Sequence, residues 1–319
     1  MNAAVVHAYD APPRYAPFAE PVAGEGEVLV EVVAAGLHPI VKAVARGTHY
    51  SSTGVLPFIP GIDGVGRRED GKTVYFGAAR SPFGTFAERA ITSPRLSIPV
   101  PHGVDEVMLA GAANPGMSSW VALTRRARFV AGENVLILGA TGAAGQLAVQ
   151  IARHLGAGRI VAAGRNQAVL DTLRDLGADA IIPLDQEHDS LVSSIVRERA
   201  LGGIHVVIDY IWGHPAEAAL EALSQKGPQA ASPIRFVQVG ESAGKTISLA
   251  AATLRSTAIE LLGSGFGSAK MDEIFKALAE FFQFAATSSM KFGFRPVALR
   301  DVESLWDSPG QDVRLVFVP

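Results

Sequence analysis

The chain has 319 residues, which is enough for about two domains, and 48% of them are hydrophobic while 18% carry a charge, as in a packed globular protein. The formal net charge of −3 gives no electrostatic reason to expect binding to nucleic acid or to an anionic membrane. The absence of cysteine excludes disulfides, thiolate nucleophiles and cysteine-ligated metal sites. The first residues lack the basic and apolar regions of a secretory signal, so we expect a cytoplasmic protein.

The first part of the chain, residues 1–115, carries short β-branched runs broken by glycine and proline. The clearest runs are "EVLVEVVAAG" (27–36), "KTVYFGAA" (72–79) and "FAERAIT" (86–92). Runs of this length and composition predict strands, so this part is predicted to be a strand-rich domain.

Strands and helices alternate in the middle of the chain, over residues 116–263. "VLIL" (135–138) is followed by an amphipathic stretch that predicts a helix after Gly145, closed by Gly156. Further apolar runs predict the remaining strands: "RIVAA", "AIIPL", "HVVIDY", "IRFVQVG" and "AIELLG". This alternation is typical of an α/β fold with a doubly wound parallel sheet. Residues 264–319 then hold one helix and an extended ending, "VRLVFVP".

The turn between the first strand and helix of this middle region reads "GATGAAG" (139–145). Ala140 stands where a strict G-x-G-x-x-G would have glycine, yet the small residues let a pyrophosphate approach the unpaired N–H groups of a helix N-terminus. The alternative is a glycine-rich loop without a ligand. The strand before and the helix after favour a dinucleotide site, with these candidate residues: Ala140, Thr141, Gly142, Ala143, Ala144 and Gly145.

The end of the second strand indicates which dinucleotide is bound. NAD sites usually place Asp or Glu about 20 residues after the turn, to accept hydrogen bonds from the ribose 2′-hydroxyl. Here that position follows Gly164 and is Arg165, with Asn166 next. A guanidinium suits a 2′-phosphate, so the sequence predicts NADP(H). The alternative is an arginine in a solvent-facing loop.

Several motifs resemble the medium-chain dehydrogenase/reductase superfamily, specifically its zinc-independent quinone oxidoreductase branch. Besides the turn they are "AAGLHP" (34–39), "LPFIPGIDGVG" (56–66), "PFGTFAER" (82–89), "NPGMSSWVAL" (114–123) and "VVIDYIWG" (206–213). The resemblance implies a Rossmann domain, residues 116–263, inserted in a partly open, GroES-like β-barrel domain made of residues 1–115 and 264–319. It also implies a homodimer that forms through the strand "AIELLG".

The same resemblance bears on metal binding. Zinc-dependent relatives have Gly-His-Glu at 61–63 and cysteine ligands, whereas this chain has Ile62, Asp63 and no cysteine. The resemblance therefore implies no catalytic metal. Asp63 is interpreted as a structural carboxylate.

The resemblance implies a reductase that transfers hydride from NADPH to a quinone. Without zinc or an obvious proton relay in the sequence, the proton could come from solvent. Tyr50 and His38 are the candidate catalytic residues; His38 stands where Asn is common in the branch. Either residue could instead be structural. The remaining candidates for contact with the cofactor, which could equally be ordinary turn or packing residues, are Asn114, Tyr210, Gly240, Gly265, Phe266 and Gly267.

Two other functions remain open at the level of sequence. The same fold and cofactor support an enone or alkenal double-bond reductase. A protein of this fold could also bind NADPH as a redox sensor without turnover, because fold does not imply activity. The expected substrates are small molecules in each case.

Overall fold

The computed structural model describes residues 1–49, 52, 54–78, 80–225, 233–308 and 313–319. The chain divides into two compact units. We call Met1–Asn114 with Phe282–Pro319 the terminal unit, and Pro115–Phe281 the central unit. The predicted second boundary at 263/264 stays a prediction; in the structure, Glu280 accepts hydrogen bonds from Trp120 and Arg125 of the central unit.

The strands follow one another along the chain in this order: β1 Asn2–Val5, β2 Arg14–Pro17, β3 Val28–Gly36, β4 Asp63–Arg68, β5 Thr73–Gly77, β6 Arg89–Thr92, β7 Ser97–Pro99, β8 Asn134–Leu138, β9 Arg159–Gly164, β10 Ala180–Pro183, β11 Val206–Asp209, β12 Ile234–Gln238, β13 Ile259–Gly263, β14 Phe294–Ala298 and β15 Arg314–Val318.

The helices are α1 Pro39–Ala45, α2 Glu106–Val121, α3 Ala143–His154, α4 Gln167–Thr172, α5 His188–Ala200, α6 Gly213–Ser224, α7 Ala251–Ser256, α8 Met271–Thr287 and α9 Val302–Leu305. A π-turn, Ala122–Arg126, continues α2. Within the described part of the chain, no helix is both long and apolar enough to cross a membrane.

The central unit is built on a six-stranded parallel sheet with the order β10-β9-β8-β11-β12-β13. The strand order reverses between β8 and β11, so the predicted doubly wound sheet is confirmed. The central strands β8, β9 and β11 are buried on both sides, as their continuous apolar runs require. One face forms a core in which Leu136, Val207 and Phe236 contact residues of α5 and α6.

The terminal unit contains a sheet of the order β14-β15-β3-β4-β5-β7, with β6 paired to β3, and a separate β1-β2 pair. The C-terminal strand β15 pairs antiparallel with β3, through Val316 and Gly36. The extended ending of the chain therefore lies in the same sheet as the N-terminal strand β3. Phe86, Trp306 and Phe317 pack together in its core.

Candidate functional site

The "GATGAAG" segment forms the expected turn at the carboxyl end of β8. Gly139 adopts a φ of 84°, and Gly142 donates to the carbonyl of Gly139 at 3.1 Å. Gly142 caps α3 with an extended backbone, so the helix begins at Ala143 and not after Gly145 as predicted. The first N–H groups of α3 therefore lie within the turn itself, next to the exposed Gly142.

Close contacts explain the small residues of this turn. A Cβ atom on Gly145 would lie 2.3 Å from the carbonyl oxygen of Gly139 and 2.5 Å from the Cα of Ala140. Ala140 is fully buried, and its N–H donates to Ala163 of β9 at 2.8 Å. The turn thus has the short backbone approaches that a pyrophosphate site needs, with alanine accepted at 140.

The pairing of β8 with β9 brings the second predicted segment to this turn. A Cβ on Gly164 would lie 2.4 Å from Cγ2 of Thr141, so a larger residue at 164 would displace the Thr141 side chain where the two segments meet. Asn166 caps α4 by accepting a hydrogen bond from the N–H of Val169. Arg165 lies between Gly164 and Asn166 in the chain. Its side chain is exposed and makes no hydrogen bond or ion pair within the described residues.

Loops after the other strands reach the same edge of the sheet. The N–H of Tyr210 donates to Leu138, and a Cβ on Gly240 would lie 2.4 Å from the carbonyl oxygen of Tyr210. The Tyr210 hydroxyl lies 2.7 Å from the Oγ of Ser119, and burial raises the pKa of Tyr210. Ser119 also donates to Ala144, which ties α2 to the turn; sequence reasoning missed Ser119.

The last predicted cofactor segment, Gly265, Phe266 and Gly267, follows β13. Phe266 is exposed, and a Cβ on either glycine would meet no atom within 4 Å. Cofactor contact by this segment and by Tyr210 stays a prediction.

The terminal unit holds a second group of polar residues, centred on the buried Asp63 at the start of β4. Its Oδ2 atom accepts hydrogen bonds from the hydroxyl of Tyr75 at 2.9 Å and from the amide of Asn114 at 3.0 Å. Its Oδ1 atom lies 3.2 Å from Nε2 of His38. Asn114, predicted at the cofactor, therefore directs its amide to Asp63. Tyr50, the other catalytic candidate, lies outside the described residues.

Tyr75 and Arg314 belong to this group and were missed from the sequence. Tyr75 is brought to Asp63 by the β4–β5 register, in which Asp63 pairs with Gly77 and Val65 pairs with Tyr75. Burial, then the charge of Asp63, raises the pKa of Tyr75, so its hydroxyl stays a donor. Burial lowers the pKa of Arg314 to about 10, while Asp63 acts in the opposite direction. The sequence could have indicated Tyr75 only through a prediction that β4 and β5 pair as a hairpin.

The known proteins that this chain resembles are dehydrogenases and reductases. The family model of zinc-binding dehydrogenases matches residues 143–283. A probable NADPH-dependent quinone reductase of Emericella nidulans is 28% identical over 365 aligned positions, which cover all of both chains. An NADPH-dependent alkenal/one oxidoreductase of Arabidopsis thaliana is 29% identical over 51% of this chain and 46% of its own.

Solved structures share the fold. The quinone oxidoreductase of Thermus thermophilus, solved also in complex with NADPH, is 24% identical with a TM-score of 0.81, and the match covers both chains completely. Because only 24% of the residues are identical, this likeness shows a shared fold and nothing further.

The name of the matching family model raises the question of zinc. The chain has no cysteine, and the described residues contain no group of three or more His, Asp or Glu side chains placed to hold a metal ion. The Oδ2 atom of Asp63 is also occupied by two hydrogen-bond donors. These residues do not fit a zinc ion, and no step of the chemistry below involves one. That the protein needs no metal stays a prediction.

Proposed function

The chain belongs to the medium-chain dehydrogenase/reductase superfamily, within which it groups with the quinone oxidoreductase branch, and from this premise we propose that it is an NADPH-dependent reductase of quinones. The proposal extends to this chain the activity named for the Emericella relative that it matches from end to end. Zinc-independent hydride transfer is part of the proposal.

The observation that carries the choice of cofactor is the position of Arg165. Its guanidinium is exposed and unpaired among the described residues, directly after Gly164, which packs against Thr141 of the turn. An unpaired guanidinium beside a pyrophosphate site suits a 2′-phosphate, which it can bind by paired, charge-assisted hydrogen bonds. We assign the 2′-phosphate to Arg165 and Asn166.

The turn residues Ala140–Gly145 would hold the pyrophosphate, where the close backbone contact at Gly145 and the contact of Gly164 with the Thr141 side chain fit such a group. NADPH, when bound, supplies a hydride from its nicotinamide ring. The chain contributes positioning and stabilisation of the negative charge that develops on the acceptor oxygen. We assign acceptor contacts to Tyr50 and His38.

A second acceptor class is favoured by the Arabidopsis relative, whose name specifies alkenals and enones. Quinones and enones share a carbonyl group conjugated to a carbon–carbon double bond, so one site with the same cofactor could reduce either. The ratio of kcat/KM for a benzoquinone and for an alkenal distinguishes the two functions.

The protein is further proposed to work in the cytoplasm as a homodimer paired through β13. Leu261 of this strand is 38% exposed, and β13 is at the end of the sheet order, where strands expose unpaired backbone groups.

The function is tested by titrating the purified protein with NADPH and with NADH, followed by nicotinamide fluorescence. Loss of charge-assisted bonds in Arg165→Ala should weaken NADPH binding by about 10- to 100-fold and leave NADH unchanged. Arg197→Ala, which removes another exposed arginine of the central unit, is the control and should change neither. Equal binding of NADPH and NADH by the unaltered protein would contradict the assignment of Arg165. Binding without turnover of any quinone or enone would instead indicate a redox sensor.

A further inference from the structure

The group of residues around Asp63 is a buried polar assembly in the terminal unit. His38 is 1% exposed and Asp63 5% exposed. Burying a carboxylate is costly unless its oxygens are paired. Such an assembly therefore needs an explanation beyond packing.

One oxygen of Asp63 is fixed. Oδ2 accepts from Tyr75 and from Asn114, two donors held by different elements, β5 and α2. The backbone carbonyl of Asp63 accepts a third hydrogen bond, from Thr85 at 2.7 Å. The orientation of the carboxylate is thus determined, and Oδ1 is the oxygen that remains.

His38 is the neighbour of that remaining oxygen. The distance of 3.2 Å between Nε2 and Oδ1 is within ion-pair range, but the angles do not yet make a hydrogen bond, and Nδ1 has no partner among the described residues. Hydrogen bonds of catalytic groups are often long or poorly aligned before the substrate binds. A buried ring nitrogen without a partner also needs one from outside this set of residues.

The other charged group close to the pair is Arg314. It donates to the carbonyl of Leu37, the residue before His38, at 2.6 Å, and its charge acts on Asp63. Arg314 therefore balances the carboxylate charge without binding the oxygen that faces His38.

We propose that His38 and Asp63 form an acid–base pair in which His38 donates the proton that the acceptor takes up with the hydride, and Asp63 is the positioning residue that fixes Nε2–H and stabilises the imidazolium. This inference rests on the proposed function. A quinone that gains one hydride and one proton becomes a hydroquinone, and NADPH becomes NADP⁺. The proton leaves Nδ1, directly or through one water molecule, once a shift of the buried His38 side chain exposes that atom. The same opening lets solvent reprotonate the neutral imidazole before the next turnover.

The pair predicts a specific effect of Asp63→Asn. The amide oxygen of the variant would keep the donors Tyr75 and Asn114, so its NH2 group would face Nε2 of His38. Nε2 must then accept, and the only ring proton is on Nδ1, from which it cannot leave without forming an imidazolate. This is the wrong-tautomer effect of removing the carboxylate from a histidine pair. The variant should still bind NADPH and acceptor but transfer the proton poorly.

The kinetic test compares His38→Asn, Asp63→Asn and the double variant. General acid catalysis contributes about 10²- to 10⁴-fold, so each single variant should lower kcat at least about 10²-fold with the KM for NADPH unchanged. The double variant should lose no more than either single one, because the two residues act as a unit. Asp70→Asn, a carboxylate in the exposed turn between β4 and β5, is the matched control and should retain full kcat.

A second readout is independent of turnover. In the complex with NADP⁺ and a quinone, which cannot turn over, the imidazole N–H held by Asp63 should give a proton resonance far downfield of the amide region. This resonance should vanish in both His38→Asn and Asp63→Asn and persist in Asp70→Asn. Full kcat in His38→Asn or in Asp63→Asn would overturn the pair while leaving the proposed reductase intact. Absence of NADPH turnover in the unaltered protein, with the resonance present, would instead overturn the proposed function.

Discussion

Asp209 is a fully buried carboxyl group at the carboxyl end of β11, next to the point where the strand order reverses. Its Oδ1 accepts from the N–H groups of Ile211 and Trp212, and Oδ2 has no partner among the described residues. Burial raises the pKa of Asp209 to about 6, and the two backbone hydrogen bonds act in the opposite direction. The carboxyl group also holds a strained turn, since Trp212 has a φ of 57°.

The raised pKa makes stability depend on pH with a defined sign. The folded protein binds the Asp209 proton more tightly than the unfolded chain does, so this group's contribution to the free energy of unfolding is largest below about pH 4. This contribution to the free energy of unfolding decreases as the pH rises to about 6, and it is constant above that pH. Asp209→Asn keeps an acceptor for both N–H groups and removes the titration.

We therefore expect the free energy of unfolding of Asp209→Asn, relative to the unaltered protein, to rise by up to about 3 kcal/mol between pH 4 and pH 7.5. Urea unfolding at several pH values, followed by tryptophan fluorescence, measures this difference. Any constant effect of the amide cancels in the comparison. Parallel pH dependence of the two proteins would show that Asp209 is ionised in the folded state throughout this range.

At the scale of elements, the start of α3 is determined by how closely the helix approaches the turn before it. A Cβ added to Gly145 would meet backbone atoms of Gly139 and Ala140. Backbone atoms cannot rotate away from an added methyl group as a side chain can. Gly142 differs, because a Cβ there would lie 3.5 Å from Gly139, an ordinary contact, and its φ is −75°. The two glycines therefore have different tolerances despite being three residues apart in one motif.

Gly145→Ala is expected to move the first turn of α3 away from β8 and to lower the free energy of unfolding by about 1–3 kcal/mol, as overpacking does. NADPH binding should weaken at least about tenfold, because the N–H groups of the helix start lose their position. Gly142→Ala is the control for stability and should melt within about 2 °C of the unaltered protein. Equal melting temperatures for the two variants would mean that the close approach at Gly145 can relax.

The elements also show which parts of the structure could be predicted from the sequence alone. β8, α3 and β9 were predictable because apolar periodicity and the glycine spacing are local signals, and Arg165 follows from counting along the chain. The group around Asp63 was not predictable in the same way. Its members come from β4, β5, α2, β15 and the residue before α1, so their meeting depends on strand register and on contacts between residues far apart in sequence. The start of α3 was misplaced because a helix can begin inside a glycine turn.

At the scale of the whole molecule, the chain path determines how the two units are assembled. β15 must return to β3 to complete the terminal sheet, so this unit cannot be completed until the C-terminal segment has been made. Nothing in the periodicity of "VRLVFVP" indicates its partner strand, and the expectation came from family resemblance alone. Long-range antiparallel pairing of this kind is slow to form relative to local contacts.

The proposed homodimer can be tested at β13, the edge strand of the central sheet. Ala258 and Ser264 direct their backbone groups to β12, so alternation along β13 directs those of Ile259, Leu261 and Gly263 away from it. The carbonyl of Gly263 already accepts from Arg126 at 2.7 Å. Pairing with a second copy should therefore centre on Leu261.

Leu261→Pro would remove the outward N–H without removing a hydrogen bond of the β12–β13 ladder, since proline is tolerated on edge strands with that orientation. The unaltered protein should sediment as a dimer, Leu261→Pro as a folded monomer, and Leu261→Thr, which keeps the N–H and strand propensity, as a dimer. Sedimentation velocity with a far-ultraviolet circular dichroism spectrum of each variant makes the measurement. A dimer that survives in Leu261→Pro would show that the copies associate elsewhere. If the unaltered protein is a monomer, β13 remains an unpaired edge in solution.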